Sequence, residues 1–81
     1  MKLFVAGLPY DMDHQDLKEM FELYGVVQSA KVVMDFNTRK SKGFGFVEFE
    51  KASEAKEVME LLNGRMIKGK ELVVKEAEGR Q

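Results

Sequence analysis

Residues 42–49, Lys-Gly-Phe-Gly-Phe-Val-Glu-Phe, constrain the fold more than any other stretch of this sequence. Strand alternation puts Gly43, Gly45, Val47 and Phe49 on one face and Lys42, Phe44, Phe46 and Glu48 on the other. A charge closes each end of the second face, so that face looks to solvent. The strand therefore belongs to a sheet covered on one side only. It also carries two phenylalanines on the side that is not covered.

The rest of the chain supplies the cover. Lys2 to Leu8 reads as a strand with Leu3 and Val5 inward and Lys2, Phe4 and Ala6 outward, broken by Gly7-Leu8-Pro9-Tyr10. Asp13 is placed to cap a helix, and Asp16 adds negative charge in its first turn, where the macrodipole favours it. Leu17, Met20, Phe21 and Tyr24 follow at helical spacing as one buried stripe, and Gly25 stands where a C-cap glycine belongs. Ser29 to Asp35 reads as a second strand, with Ala30, Val32 and Met34 on one face and Lys31, Val33 and Asp35 on the other. A polar, basic loop from Phe36 to Ser41 leads into the third strand. Ser53 is the expected cap of a second helix bearing Ala55, Val58, Met59 and Leu62, which Asn63-Gly64 ends. Met66-Ile67 and the turn Lys68-Gly69-Lys70 precede a last strand, Glu71 to Lys75, with Leu72 and Val74 inward. Met20, Met34, Met59 and Met66 all fall at core-compatible positions.

This order predicts an α+β, ferredoxin-like βαββαβ sandwich, a four-stranded antiparallel sheet with two helices on one face. Right-handed crossovers place the first and third strands in the centre. Phe4, Phe44 and Phe46 then share the open face. Flat rings on a rigid sheet suit stacking against planar ligands, nucleobases foremost, and an apolar patch of this kind marks a binding surface. Lys2, Lys31, Lys42 and Lys75 point to the same face, and Arg39 and Lys40 lie in the loop beside it, all candidates for phosphate contact. The net charge of −1, from 13 basic and 14 acidic residues, argues by itself against a polyanionic partner. Distribution reverses that argument. Asp11, Asp13, Asp16, Glu19 and Glu22 cluster around the first helix, on the side away from the rings.

The octamer at 42–49 fits the RNA recognition motif signature at every fixed position, a chance on the order of 10⁻⁸ per start position under average residue usage. Leu3-Phe-Val-Ala-Gly-Leu8 resembles the family's partner hexamer on the first strand. The chain is similar to the RNA recognition motif family across essentially its whole length, in particular to small one-domain bacterial members and to glycine-rich RNA-binding proteins of plants. The resemblance implies that Phe4 and one octamer aromatic stack on successive bases, the other lying against sugars, with Lys42 pairing with phosphate. It also implies contacts from Asn37 to Ser41 and from Lys75 to Ala77. Gly7 stands where the family's hexamer commonly has asparagine, with little expected effect on binding. Glu76-Ala77-Glu78 is acidic where many relatives continue with neutral or basic residues, which weakens the electrostatics beside the sheet.

The expected partner is single-stranded RNA, with single-stranded DNA tolerated. The alternative is a protein–protein interaction module of the same fold, its rings covered by a partner, a second copy or a terminal segment. A monomer is expected, with a homodimer left open. No cofactor, metal or catalytic role is expected. The chain has no cysteine, and its one histidine, His14, lacks catalytic or ligating partners and reads as an exposed helix residue. Acylphosphatases share the fold but need an arginine after the first strand, and Leu8-Pro9-Tyr10-Asp11 has none. No apolar run is long enough for a membrane span, and none follows Met1 as a signal peptide would. Strand-like sequence from residue 2 makes Met1 the expected native start and the cytoplasm the expected compartment. Residues 1–77 are expected to form the domain and 78–81 a short tail.

Overall fold

The computed structural model describes residues 1–77; the expected tail, 78–81, lies outside the described residues. In chain order the elements are β1 (Lys2–Ala6), α1 (His14–Glu22), β2 (Val27–Met34), β3 (Ser41–Phe49), α2 (Ala52–Leu62), β4 (Met66–Ile67), β5 (Lys70–Glu71) and β6 (Val73–Glu76). An antiparallel sheet of four strands runs in the order β2-β3-β1-β6, so β1 and β3 are central as the crossover rule requires. Both helices pack on one face of it, which is the ferredoxin-like arrangement.

Alternation decides what enters the core. Leu3 and Val5 of β1, Val47 and Phe49 of β3, and Val74 of β6 face Leu17 and Phe21 of α1 and Ala55, Val58 and Leu62 of α2, all buried. Phe21 meets Phe49 edge-on, with centroids 6.2 Å apart. Burial of each such large side chain stabilises the fold by about 1.5–3 kcal/mol. Gly45 has a separate reason to be glycine: a Cβ there would collide with the Lys31 carbonyl of the neighbouring strand. The small residue lets β2 and β3 close up and brings Lys31 beside the Phe46 row.

The start of α1 follows the sequence. Asp13 is its N-cap, and its Oδ1 accepts from the Asp16 N–H at 2.8 Å. Asp16 returns a bond to the Asp13 N–H at 3.3 Å, so the acid expected to complement the dipole also closes a capping box. The start of α2 does not follow it. The helix begins at Ala52, the N-cap is Lys51 with no side-chain bond, and Ser53 lies inside the first turn. The exit from β3 sets this entry: the Glu50 N–H is held by the Val26 carbonyl at 3.0 Å, leaving extended Lys51 as the junction.

Gly25 is not a left-handed C-cap; α1 ends at Glu22 with Leu23 as its C-cap, and Gly25 lies against the Glu54 side chain, whose Oε1 accepts from the Val26 N–H at 3.2 Å. Gly7, by contrast, has φ 80°. A Cβ there would also collide with the Glu71 carbonyl, so conformation and close approach both require glycine.

Strand β2 begins at Val27, two residues earlier than expected, and its register against β3 shifts between Val27 and Ser29 and between Val32 and Met34. Met34, the last residue of β2, lies beyond the second shift at the end of the sheet, where it is exposed and not core. Met66 is exposed as well, whereas Met20 and Met59 pack on the core as expected. Glu71 belongs to a small hairpin with Met66 and not to the last strand, which begins at Val73. Lys68 and Gly69, both at positive φ, make its turn.

Candidate nucleic-acid interface

The face opposite the helices is built by cross-strand pairing. Phe4 stands opposite Phe46 on one side and Lys75 on the other, and Lys31 stands opposite Phe46. Direct partners in an antiparallel sheet project to the same face, so Phe4, Phe46, Lys31 and Lys75 share it. Phe44 and Lys42 join them by alternation along β3. The Phe4 centroid lies 5.7 Å from that of Phe44, tilted by 39°, and 5.8 Å from that of Phe46, edge-on at 62°. The rings are half-buried and not fully wet, because each screens its neighbour. Their outer surfaces remain open, on strands fixed from behind by the core.

Each of the four strands contributes one lysine to this face. Lys2 sits with Nζ 5.9 Å from the Phe46 centroid, a cation–π contact, and Lys31, Lys42 and Lys75 are exposed around the rings. Glu48, opposite Lys2, is the carboxylate among them. The arrangement offers stacking surfaces in the middle and positive charge around them, which matches a ligand made of flat bases on a polyanionic backbone.

Arg39 and Lys40 are placed elsewhere. The β2–β3 hairpin is tight: Asp35 bonds Lys40 and Arg39 through its backbone at 2.8 and 2.7 Å, and its Oδ1 accepts from the Asn37 N–H at 2.8 Å. Arg39 takes φ 61° to close it. Both cations line a groove with Tyr10, Asp11, Met12, Asp13 and Met34 at the end of the sheet, beside the start of α1. They border the aromatic face without lying on it.

Three side chains outside the expected site also shape this end of the molecule. Tyr10, 59% exposed, is held by Lys70, whose Nζ lies 3.5 Å from the ring centroid. Phe36, in the loop read as polar and basic, projects from the hairpin with 96% of its surface exposed. Its signal in the sequence was an aromatic close to Arg39 and Lys40. His14 is exposed as expected, but it has a partner: its Nδ1 accepts from the Val32 N–H at 2.8 Å. That bond occupies one outward backbone donor of edge strand β2. Asn63 does the same for the other edge, its Oδ1 accepting from the Val74 N–H at 3.0 Å. Among the described residues, no group of three or more His, Cys, Asp or Glu side chains could hold a metal, and no helix is long and apolar enough to cross a membrane.

Comparison with known proteins agrees with this geometry. The RNA recognition motif family matches residues 3–73. The chain is 44% identical to the chloroplastic 28 kDa ribonucleoprotein of Spinacia oleracea over 98% of its own length and 34% of that protein's. It is 39% identical to the mitochondrial glycine-rich RNA-binding protein 3 of Arabidopsis thaliana, again over 98% of its own length and 26% of that protein's. It thus spans about a third or less of these relatives. The crystal structure of RNA-binding protein PG1 superposes with a TM-score of 0.91 at 40% identity, covering 100% of this chain and 98% of that one.

Proposed function

The chain belongs to the RNA recognition motif family, and from that premise and its open sheet we propose that it binds single-stranded RNA across the face formed by β2, β3, β1 and β6. The observation that carries this reading is the cluster of Phe4, Phe44 and Phe46 at the centre of the uncovered face. About two to four unstacked nucleotides lie across the sheet. Phe4 and Phe44 stack on bases, and Phe46 packs on a sugar or a further base. Lys2, Lys31, Lys42 and Lys75 hold phosphates, with Arg39 and Lys40 at the hairpin end. Few phosphates are within their reach, so affinity is modest and falls with salt. Stacking is indifferent to the sugar, so single-stranded DNA is tolerated. The domain, residues 1–77, binds as a monomer and carries no catalytic activity.

The deciding experiment is a titration of labelled single-stranded RNA pools with the wild type and with the Phe4→Ala/Phe44→Ala double variant, at low and physiological salt. Binding by the wild type that the variant loses supports the reading. Absence of wild-type binding at low salt would overturn it in favour of a protein partner on the same face. The compartment needs its own test. A chain without cysteine suits the cytoplasm, whereas the names of the two plant relatives place them in the chloroplast and the mitochondrion. Cell fractionation of the tagged full-length protein separates these possibilities.

A further inference from the structure

Glu48 is out of place on a surface that meets a polyanion. Its cross-strand partners are Lys2 on one side and Ser29 on the other, so an ammonium, a carboxylate and a hydroxyl form one row across β1, β3 and β2. The next row along the sheet sets Phe4 and Phe46 between Lys75 and Lys31. The face is therefore graded, with rings in one row and polar groups in the row beside them. The register shift in β2 builds the polar row: it leaves Gln28 out of the pairing and sets the shorter Ser29 beside Glu48.

The backbone under this row is tied. The Phe49 N–H donates to the Met1 carbonyl at 2.9 Å, and the Ala77 N–H to the Lys2 carbonyl at 2.9 Å. The carboxylate itself is not. Among the described residues it enters no ion pair, and Lys2 turns its Nζ to the Phe46 ring. A carboxylate repels phosphate and offers no stacking surface. It accepts hydrogen bonds at both oxygens and donates none. The part of an RNA strand that it can hold is a base edge carrying donors. Glu48 stands two residues after Phe46, about 6.6 Å along the strand, so a base seated on that ring brings its edge to the carboxylate. The bases differ at that edge. Guanine presents N1–H and N2–H side by side, a match for both oxygens of one carboxylate. Adenine and cytosine present an amino group beside an acceptor, and uracil one N–H between two carbonyls, which the carboxylate opposes.

We propose that Glu48 is a specificity-determining residue, selecting guanine for the nucleotide seated on Phe46 by accepting from its N1–H and N2–H. The proposal rests on the RNA-binding reading and adds a base preference, which stacking alone does not supply. Phe46 then holds a base and not a sugar. The same negative charge opposes the phosphates of any strand on the sheet, so it lowers affinity for strands without guanine. Removing it has two effects of opposite sign: the preference for guanine falls, and binding to a strand of uridines does not.

The test compares full-length wild type, Glu48→Ala, Glu48→Gln and the Phe4→Ala/Phe44→Ala double variant. Randomised single-stranded RNA of about six nucleotides is selected on each and sequenced. Affinities are then measured for the strand selected by the wild type, for that strand with inosine in place of guanine, and for oligouridine. Inosine keeps N1–H and lacks the N2 amino group. The expected result is that the wild type enriches guanine at one position and loses about tenfold on inosine. Both Glu48 variants lose the enrichment and the sensitivity to inosine, and Glu48→Ala binds oligouridine at least as tightly as the wild type. Glu48→Gln keeps the shape of the side chain and replaces one accepting oxygen by a donor, so its loss of preference does not arise from misfolding. The double variant is weak on every strand. The same base preference in the wild type and both Glu48 variants would overturn the proposal while leaving the sheet reading intact. So would enrichment of another base at the position that depends on Glu48, or an equal loss by both variants on all strands. Failure of the wild type to bind any strand, even at low salt, would bring down the sheet reading, and the proposal with it.

Discussion

Strand β3 carries the same residue type to two different ends. Phe49 is fully buried and meets Phe21, whereas Phe46, three residues earlier, lies on the open face against Phe4. One face of the strand is there to hold the fold and the other to meet a ligand. The separation is possible because the sheet has helices on one side only. It teaches that the open-face rings should be removable at little cost in stability, while the back-face ring should not.

Four substitutions test that division, in descending order of effect. Phe49→Ala should destabilise the domain by about 3–5 kcal/mol, a large part of its stability, since it removes a fully buried ring from the core. Chemical denaturation measures it, and a loss below 1 kcal/mol would show that the back face is loosely packed. Phe44→Ala should weaken RNA binding by about 1–3 kcal/mol while leaving the denaturation midpoint nearly unchanged. Unfolding of that variant would place its ring in the core and erase the contrast. Lys51→Asp supplies α2 with the side-chain cap that it lacks and adds to the first-turn charge of Glu54, and should raise stability by about 1 kcal/mol. Thermal melting reads this out, and RNA affinity should not rise with it, because the helix lies behind the sheet. Lys75→Ala should have the smallest effect, a loss of under about 1 kcal/mol in affinity, with the slope of log affinity against log salt reduced by less than about one. An unchanged slope would mean that Lys75 guards the sheet edge and does not touch phosphate.

The two helix starts show where reading residues in order succeeds and where it stops. Asp13 caps α1 and Asp16 completes the box, because both partners lie within one turn of chain. Ser53 was equally plausible as a cap, but α2 starts earlier because β3 hands the chain over through Glu50 and Lys51, pinned by Val26 just ahead of β2. Met34 fails for a related reason: alternation assigns it inward, but it is the last residue of β2, at the end of the sheet, and stays exposed. For the site, alternation and the octamer were enough to bring Phe4, Phe44, Phe46 and four lysines to one face. They did not reveal that Arg39 and Lys40 line a different groove, since that depends on how the hairpin folds over.

The alternation of β1 and β3, the helical stripes and the order of elements are local periodicities. They determined by themselves that this chain forms a half-covered sheet with phenylalanines on its open face. The rest was decided by tertiary structure alone: the spacing of the three rings, the bonds of His14 and Asn63 to the sheet edges, and the exposure of Phe36. Each depends on register, bulges and contacts between residues far apart in the chain, for which no period in the sequence provides a signal.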